Sequence, residues 1–258
     1  MTLQGQVALV TGASRGLGRA IAQRFAHEGA AVAINYHSRA DAAEGLVNEI
    51  RSAGGLAIAV RADVGDPAQV TAMVQQTVAE LGTITILVNN AGIVYRATLD
   101  TFESSGMENM RRTNVDGLIH VTRAVVPMMK ERGYGRIVNI TSVAGHGTTL
   151  PGSTFYAATK AAVSLMTRRF AMELGRHGIT VNAVAPGYIL TDMVRDGRTE
   201  EEFQASVKAI SARAMVGRIG KPEDISNAVA FLVTPDSEFI TAQILTVDGG
   251  RMDYIGHP

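Results

Sequence analysis

A single α/β domain, built on a doubly wound parallel sheet of about seven strands with helices on both faces, is the fold this sequence predicts. Three observations carry it. Short apolar runs alternate with stretches of helical periodicity from end to end, the pattern of successive βαβ units. The first run, Val7 to Val10, passes directly into a glycine-rich turn and a helix, as at the start of an open α/β sheet. Finally, 258 residues suffice for one domain with a fully buried sheet, and no low-complexity tract divides them.

Bulk properties narrow the function. Lys plus Arg and Asp plus Glu both number 24, for a net charge of zero, so the basic footprint of a nucleic-acid binder is missing. No run of 18 apolar residues and no basic-then-apolar amino terminus is present, so the expectation is a soluble, cytoplasmic chain without a membrane segment. The absence of cysteine excludes disulfides and thiolate chemistry. Six histidines, at 27, 37, 120, 146, 177 and 257, form no close ligand pair, so no metal is expected.

In chain order, the first turn reads Thr11-Gly12-Ala13-Ser14-Arg15-Gly16-Leu17-Gly18, with Ala20, Ile21, Phe25 and Ala26 at helical spacing up to Gly29. Missing Cβ atoms let a pyrophosphate approach backbone N–H groups at the positive end of the helix. The G-x-x-x-G-x-G spacing differs from the commoner G-x-G-x-x-G, but strand before and helix after meet the structural requirement. Strand two, Ala31 to Asn35, ends where an NAD site usually places a carboxylate. No acid lies between Glu28 and Asp41; the sequence there is Asn35-Tyr36-His37-Ser38-Arg39, with Arg15 available from the turn. Guanidinium and hydroxyl suit a 2′-phosphate, so NADP(H) is expected over NAD(H), although Arg39 could instead simply open the next helix.

The alternation continues with a helix over about 40–53, a strand from Leu56 to Ala62 ending in Asp63-Val64, and a helix opened by Asp66-Pro67 that runs to Leu81. A fourth strand, Ile84 to Val88, runs into Asn89-Asn90-Ala91-Gly92 at its carboxyl end, where ligands sit in such sheets. One long helix is expected from about Thr98 through Arg132, with Asn114 midway. Strand five, Arg136 to Ile140, ends at Thr141-Ser142-Val143, and a loop over 145–152 leads to a helix reaching about Gly175. Strand six, Ile179 to Val184, precedes Ala185-Pro186-Gly187-Tyr188-Ile189-Leu190-Thr191. Residues 194–217 are polar and weakly periodic, with a helix over about 199–213, and read as a mobile cover. Pro222 starts a helix to about Val233, and Ile244 to Val247 is the last strand.

Tyr156 and Lys160 share one face of their helix at i and i+4. A neighbouring ammonium stabilises a phenolate and draws the phenol pKa toward neutrality, so Tyr156 could protonate a developing alkoxide, with Ser142 facing it from strand five. An amphipathic helix with one packed aromatic and one solvated lysine would look the same. The rest of the chain gives the pair its meaning.

These pieces, in this order, resemble the short-chain dehydrogenase/reductases over essentially the whole chain. The resemblance rests on the turn at 11–18, Asp63, Asn89-Asn90-Ala91-Gly92, Asn114, Ser142, Tyr156-x-x-x-Lys160, Pro186-Gly187 and Thr191. It implies a Rossmann-type fold with a cofactor half over about 1–135, and a catalytic and substrate half over about 136–258 that carries the cover at about 193–215. It also implies a catalytic set. Tyr156 would be general acid in reduction and base in oxidation, Ser142 would hydrogen-bond the carbonyl oxygen, Lys160 would lower the Tyr156 pKa and bind the nicotinamide ribose, and Asn114 would hold a water linking Lys160 to solvent. Gly12, Ser14, Arg15, Leu17 and Gly18 would line the phosphates. Asp63 and Val64 would meet the adenine, Asn90, Ala91 and Gly92 the ribose side, and Pro186, Gly187, Ile189 and Thr191 the carboxamide end.

Within the family the chain most resembles bacterial 3-oxoacyl-(acyl-carrier-protein) reductases, through the turn at 11–18, the Gly178 to Gly187 run and Gly220-Lys221-Pro222-Glu223-Asp224. The Ser142 to Tyr156 interval is one residue longer than is usual there. His177 stands where those reductases carry one carrier-contacting arginine, while Arg132 matches the other. The implied reaction is NADPH-dependent reduction of a ketone, a 3-oxoacyl thioester or β-keto ester, free or carried by an acyl-carrier protein. The alternative is a sugar or secondary-alcohol dehydrogenase running oxidatively. A homotetramer is implied, with the tail at 251–258 able to reach a neighbouring subunit.

Overall fold

The computed structural model describes residues 2–148, 150–191 and 199–251. The seven strands are β1 (Val7–Val10), β2 (Ala31–Tyr36), β3 (Ala57–Arg61), β4 (Ile86–Asn89), β5 (Gly135–Ile140), β6 (Ile179–Pro186) and β7 (Ile244–Val247). They form one parallel sheet in the order β3-β2-β1-β4-β5-β6-β7. The order reverses between β1 and β4, and the crevice outside their carboxyl ends is where a doubly wound sheet takes a ligand.

Both faces of the sheet are covered, so its central strands β1, β4, β5 and β6 are buried along their whole length. On one face α1 (Gly16–His27), α2 (Ala40–Ser52) and α8 (Pro222–Val233) pack Ile21, Phe25, Leu46 and Val229 against the strands. On the other, α3 (Pro67–Leu81), α5 (Gly117–Arg132) and α6 (Thr154–Leu174) contribute Met73, Val125, Met129 and Ala171. Local sequence sets the helix ends. Asp66 caps α3 by accepting from Ala68 and Gln69 N–H, with Pro67 in the first turn, while Gly133 ends α5 at φ 66°. Beyond β6, α7 (Glu200–Ser211) begins with a Thr199/Glu202 capping box and buries Phe203 alone.

One expected element is different. The long helix over 98–132 is instead α4 (Ser104–Arg111), a π-helical turn at Arg112–Asp116, and α5. The wider turn accommodates Asn114, whose amide leaves the helix to bond Ile93 across the cleft floor. Strand four begins at Ile86, two residues later than expected, and strand six runs on through Pro186. Asp192–Arg198, which include the start of the expected cover, and the tail at 252–258 lie outside the described residues. Among the described residues no helix is long and apolar enough to cross a membrane.

Candidate active site

A cleft of about 480 Å³ opens along the carboxyl ends of β1, β2, β4, β5 and β6. At one end is the glycine turn. Gly12 has φ 62°, and a Cβ there would lie 2.9 Å from Ala91 Cα, so the turn folds onto the end of β4 only as glycine. Asn90 fixes it by donating from Nδ2 to Thr11 O (2.8 Å) and Gly12 O (3.0 Å). Asn35, at the end of β2, accepts from Gly12 N–H (3.1 Å) and donates to Val60 O and Ala62 O. The amino terminus of α1 carries no capping side chain and no acid in its first turn, so its N–H groups and dipole are left for an anion.

Tyr36, Ser38, Arg39 and Arg15 line the cleft beside that turn. Asp63 is the one carboxylate among the described lining residues, and it is engaged. It pairs with Arg112 and accepts from Gly65 N–H (2.9 Å). Ser14, Leu17, Val64, Ala91, Gly92, Pro186, Gly187, Ile189 and Thr191 also line the cleft, as the sequence predicts.

At the other end β5 and α6 bring three side chains together. Thr141 Oγ1 donates to Lys160 O (2.8 Å) and bonds Ser164 Oγ (2.9 Å), fixing α6 on the end of β5. Ser142 caps a short 3₁₀ turn over Val143–His146, accepting from Ala144 N–H (3.1 Å), and its hydroxyl hydrogen-bonds that of Tyr156. Lys160 is buried, donates from Nζ to Ile140 O (2.9 Å), and lies 5.8 Å from the centre of the Tyr156 ring.

Burial rules the titration of both groups. It pushes the Tyr156 phenol up to about 12, with the Ser142 hydrogen bond and the Arg96 charge acting the other way, and it brings Lys160 down to about 8. Lys160, expected to lower the phenol pKa, turns Nζ toward Ile140 O.

One expectation is corrected. Gly18 does not line the cleft. It is buried under the turn, where a Cβ would lie 2.5 Å from Asn90 Nδ2 and 2.6 Å from Gly12 O, so its role is close packing. Asn114 also stands behind the cleft wall, its amide accepting from Ile93 N–H (2.8 Å) and donating to Ile93 O and Thr159 Oγ1. With Lys160 and Asn89 it bounds a void of about 10 Å³, about the size of one water. Asn89 Oδ1 is buried there without a partner among the described residues.

Sequence reasoning missed Asn35 and Arg112 as site residues. The missing acid at the end of β2 drew attention to the residues after Asn35, and Arg112 reads as one more residue of a long helix.

The chain is similar to known proteins over most of its length. The model of the family described as Enoyl-(Acyl carrier protein) reductase matches residues 12–251. The 3-oxoacyl-[acyl-carrier-protein] reductase FabG of Staphylococcus aureus is 40% identical over 243 residues, covering 94% of this chain and 96% of that protein. The (2S)-[(R)-hydroxy(phenyl)methyl]succinyl-CoA dehydrogenase subunit BbsD of Thauera aromatica is 41% identical over 256 residues, covering 99% and 100%. Among solved structures, a blue fluorescent protein from a metagenomic library in complex with NADPH superposes with a TM-score of 0.88 at 40% identity, covering 97% of this chain and 99% of that one.

Proposed function

The chain belongs to the short-chain dehydrogenase/reductase family of oxidoreductases, and from that premise we propose that it reduces a ketone, a 3-oxoacyl thioester or β-keto ester, using NADPH. The observation that carries the reading is the Tyr156 hydroxyl at the end of a dinucleotide-sized cleft, hydrogen-bonded to Ser142. The phenol keeps its proton at neutral pH and so has one to donate. The uncapped α1 terminus and the glycine turn fit a pyrophosphate, and Lys160 Nζ, near Gly92, fits ribose hydroxyls. The dinucleotide, when bound, supplies the hydride.

The protein's own residues manage charge and one proton. The Ser142 hydroxyl stabilises the carbonyl oxygen as negative charge gathers on it, and Tyr156 delivers its proton to that oxygen. A water in the void beside Asn114 and Lys160 would replenish the proton and satisfy Asn89 Oδ1. NADP(H) is preferred over NAD(H) because Arg15, Ser38 and Arg39 border the cleft where a 2′-phosphate would lie, and the nearest lining acid, Asp63, is neutralised by Arg112. The test is initial-rate oxidation of NADPH, with NADH in parallel, against acetoacetyl-coenzyme A, ethyl acetoacetate and an aromatic ketone. Fast thioester turnover with NADPH is expected, and faster catalysis with NADH would refute the cofactor assignment.

The likeness to a dehydrogenase of a hydroxyacyl-coenzyme A favours a second reading, oxidation of a secondary alcohol. With the phenol near 12, that direction would strengthen as pH rises toward 10 and beyond. Two assembly features complete the proposal. Leu165 and Met172 on α6, with Phe231 on α8 and Leu245 on β7, are exposed apolar side chains, and they form the interfaces of a homotetramer, to be checked by light scattering. On the surface His177 has its pKa lowered by desolvation and then by the neighbouring Lys130 and Arg176 charges, and with Arg132 these two offer a basic face to an acidic carrier protein. The described part of the expected cover, residues 199–215, closes over the bound substrate. Hydrogen exchange in α7 should slow when NADPH and a ketone are added.

A further inference from the structure

Beside Tyr156 the 91–103 segment meets the loop leading into α6. Ala97 N–H donates to Gly152 O (3.1 Å), and a Cβ on Gly152 would lie 3.8 Å from Arg96 Cβ. Phe102 packs on Phe155, the residue before Tyr156, with ring centroids 4.5 Å apart. Arg96 therefore stands on the substrate side of the catalytic phenol, close enough for its charge to be felt there. Its side chain is exposed and has no hydrogen-bond or ion-pair partner among the described residues.

We propose that Arg96 docks an anionic group of the substrate, so that the ketone this protein reduces carries a carboxylate or phosphate within an arginine's reach of the reacting carbonyl. The inference rests on the reading that Tyr156 reduces a ketone, and it names the substrate class more closely. A guanidinium fork matches a planar carboxylate or a phosphate with two parallel hydrogen bonds. Paired at the mouth, the anion fixes the distance between the carbonyl and Tyr156, while Phe102 and Phe155 give the rest of the substrate an apolar wall.

The test compares wild type, Arg96→Gln and Arg96→Lys at saturating NADPH on acetoacetate, neutral ethyl acetoacetate and acetoacetyl-coenzyme A. Arg96→Gln should lower kcat/KM for an anionic substrate about tenfold or more, chiefly through KM, with Arg96→Lys recovering part of the loss and the ester changing less than about threefold. A loss confined to acetoacetate identifies a carboxylate; one confined to the thioester identifies the coenzyme phosphates. Equal losses on ester and anions, through kcat, would assign Arg96 to the phenol's acidity and overturn the proposal, as would unchanged kinetics on both anions. If wild type reduces none of the three, the ketone reading fails and this inference fails with it; if it reduces the ester normally, only the inference is at stake.

Discussion

Asn35 and Asn90, at the phosphate end of the cleft, give their amides to backbone of the glycine turn and of β3, whereas Lys160 and Tyr156, at the catalytic end, are dehydrated by the fold that positions them. At the first end the polar groups hold one another, and what is left for a ligand is the uncapped helix terminus. At the second, Lys160 is 5% exposed and meets one carbonyl, Ile140 O. A displacement from 10.5 to about 8 corresponds to roughly 3 kcal/mol held against the charged form. One end is a finished cradle, the other a strained one, and substitutions should separate them.

The largest effect is expected at the proton donor. Tyr156→Phe should lower kcat by about 10²–10⁴-fold, with NADPH affinity by fluorescence titration nearly unchanged; surviving turnover would show that the proton comes from elsewhere. Ser142→Ala should follow, with a loss of about 10²–10³-fold in kcat. It also removes the hydrogen bond that pulls the Tyr156 phenol down, so any residual oxidative rate should demand a still higher pH. A Ser142→Ala enzyme with an unshifted pH profile would break the link between the two hydroxyls.

Lys160 carries the next effect, and it is a gain in stability. Its folded pKa of about 8 lies below the unfolded 10.5, so the unfolded chain binds more protons between those values and stability rises as pH climbs through that window. Below pH 8 the full penalty is present. Lys160→Met should therefore unfold at a higher denaturant midpoint at pH 7, by an amount on the order of 2–3 kcal/mol, with the gain fading as pH approaches 10.5. A gain that does not vary with pH would assign it to packing.

The contrast also explains how much the sequence could reveal. The strand and helix alternation, the glycine turn and the Tyr156 to Lys160 pair are short-range patterns, and the sheet order brings them to one cleft as expected. Gly18 and Asn114 belong to the same patterns, but which way each faces depends on neighbours distant in the chain, Asn90 for one and Ile93 for the other. Arg112 is placed by the π-helical turn, which no periodicity announces. For Lys160 the spacing of four residues gave the right face of the helix but not its depth, because burial against Ile140 is a property of the folded sheet end.

The smallest effect tests the cradle itself. Asn90→Ala deletes two hydrogen bonds, to Thr11 O and Gly12 O, and leaves those carbonyls less well satisfied, at about 1–2 kcal/mol in all. Because the side chain braces the turn from below, the loss should appear as roughly tenfold weaker NADPH binding with kcat within about threefold of wild type. A fall in kcat with binding intact would mean that Asn90 acts at the catalytic end, and that the two ends of the cleft are more closely coupled than their separate hydrogen-bond networks imply.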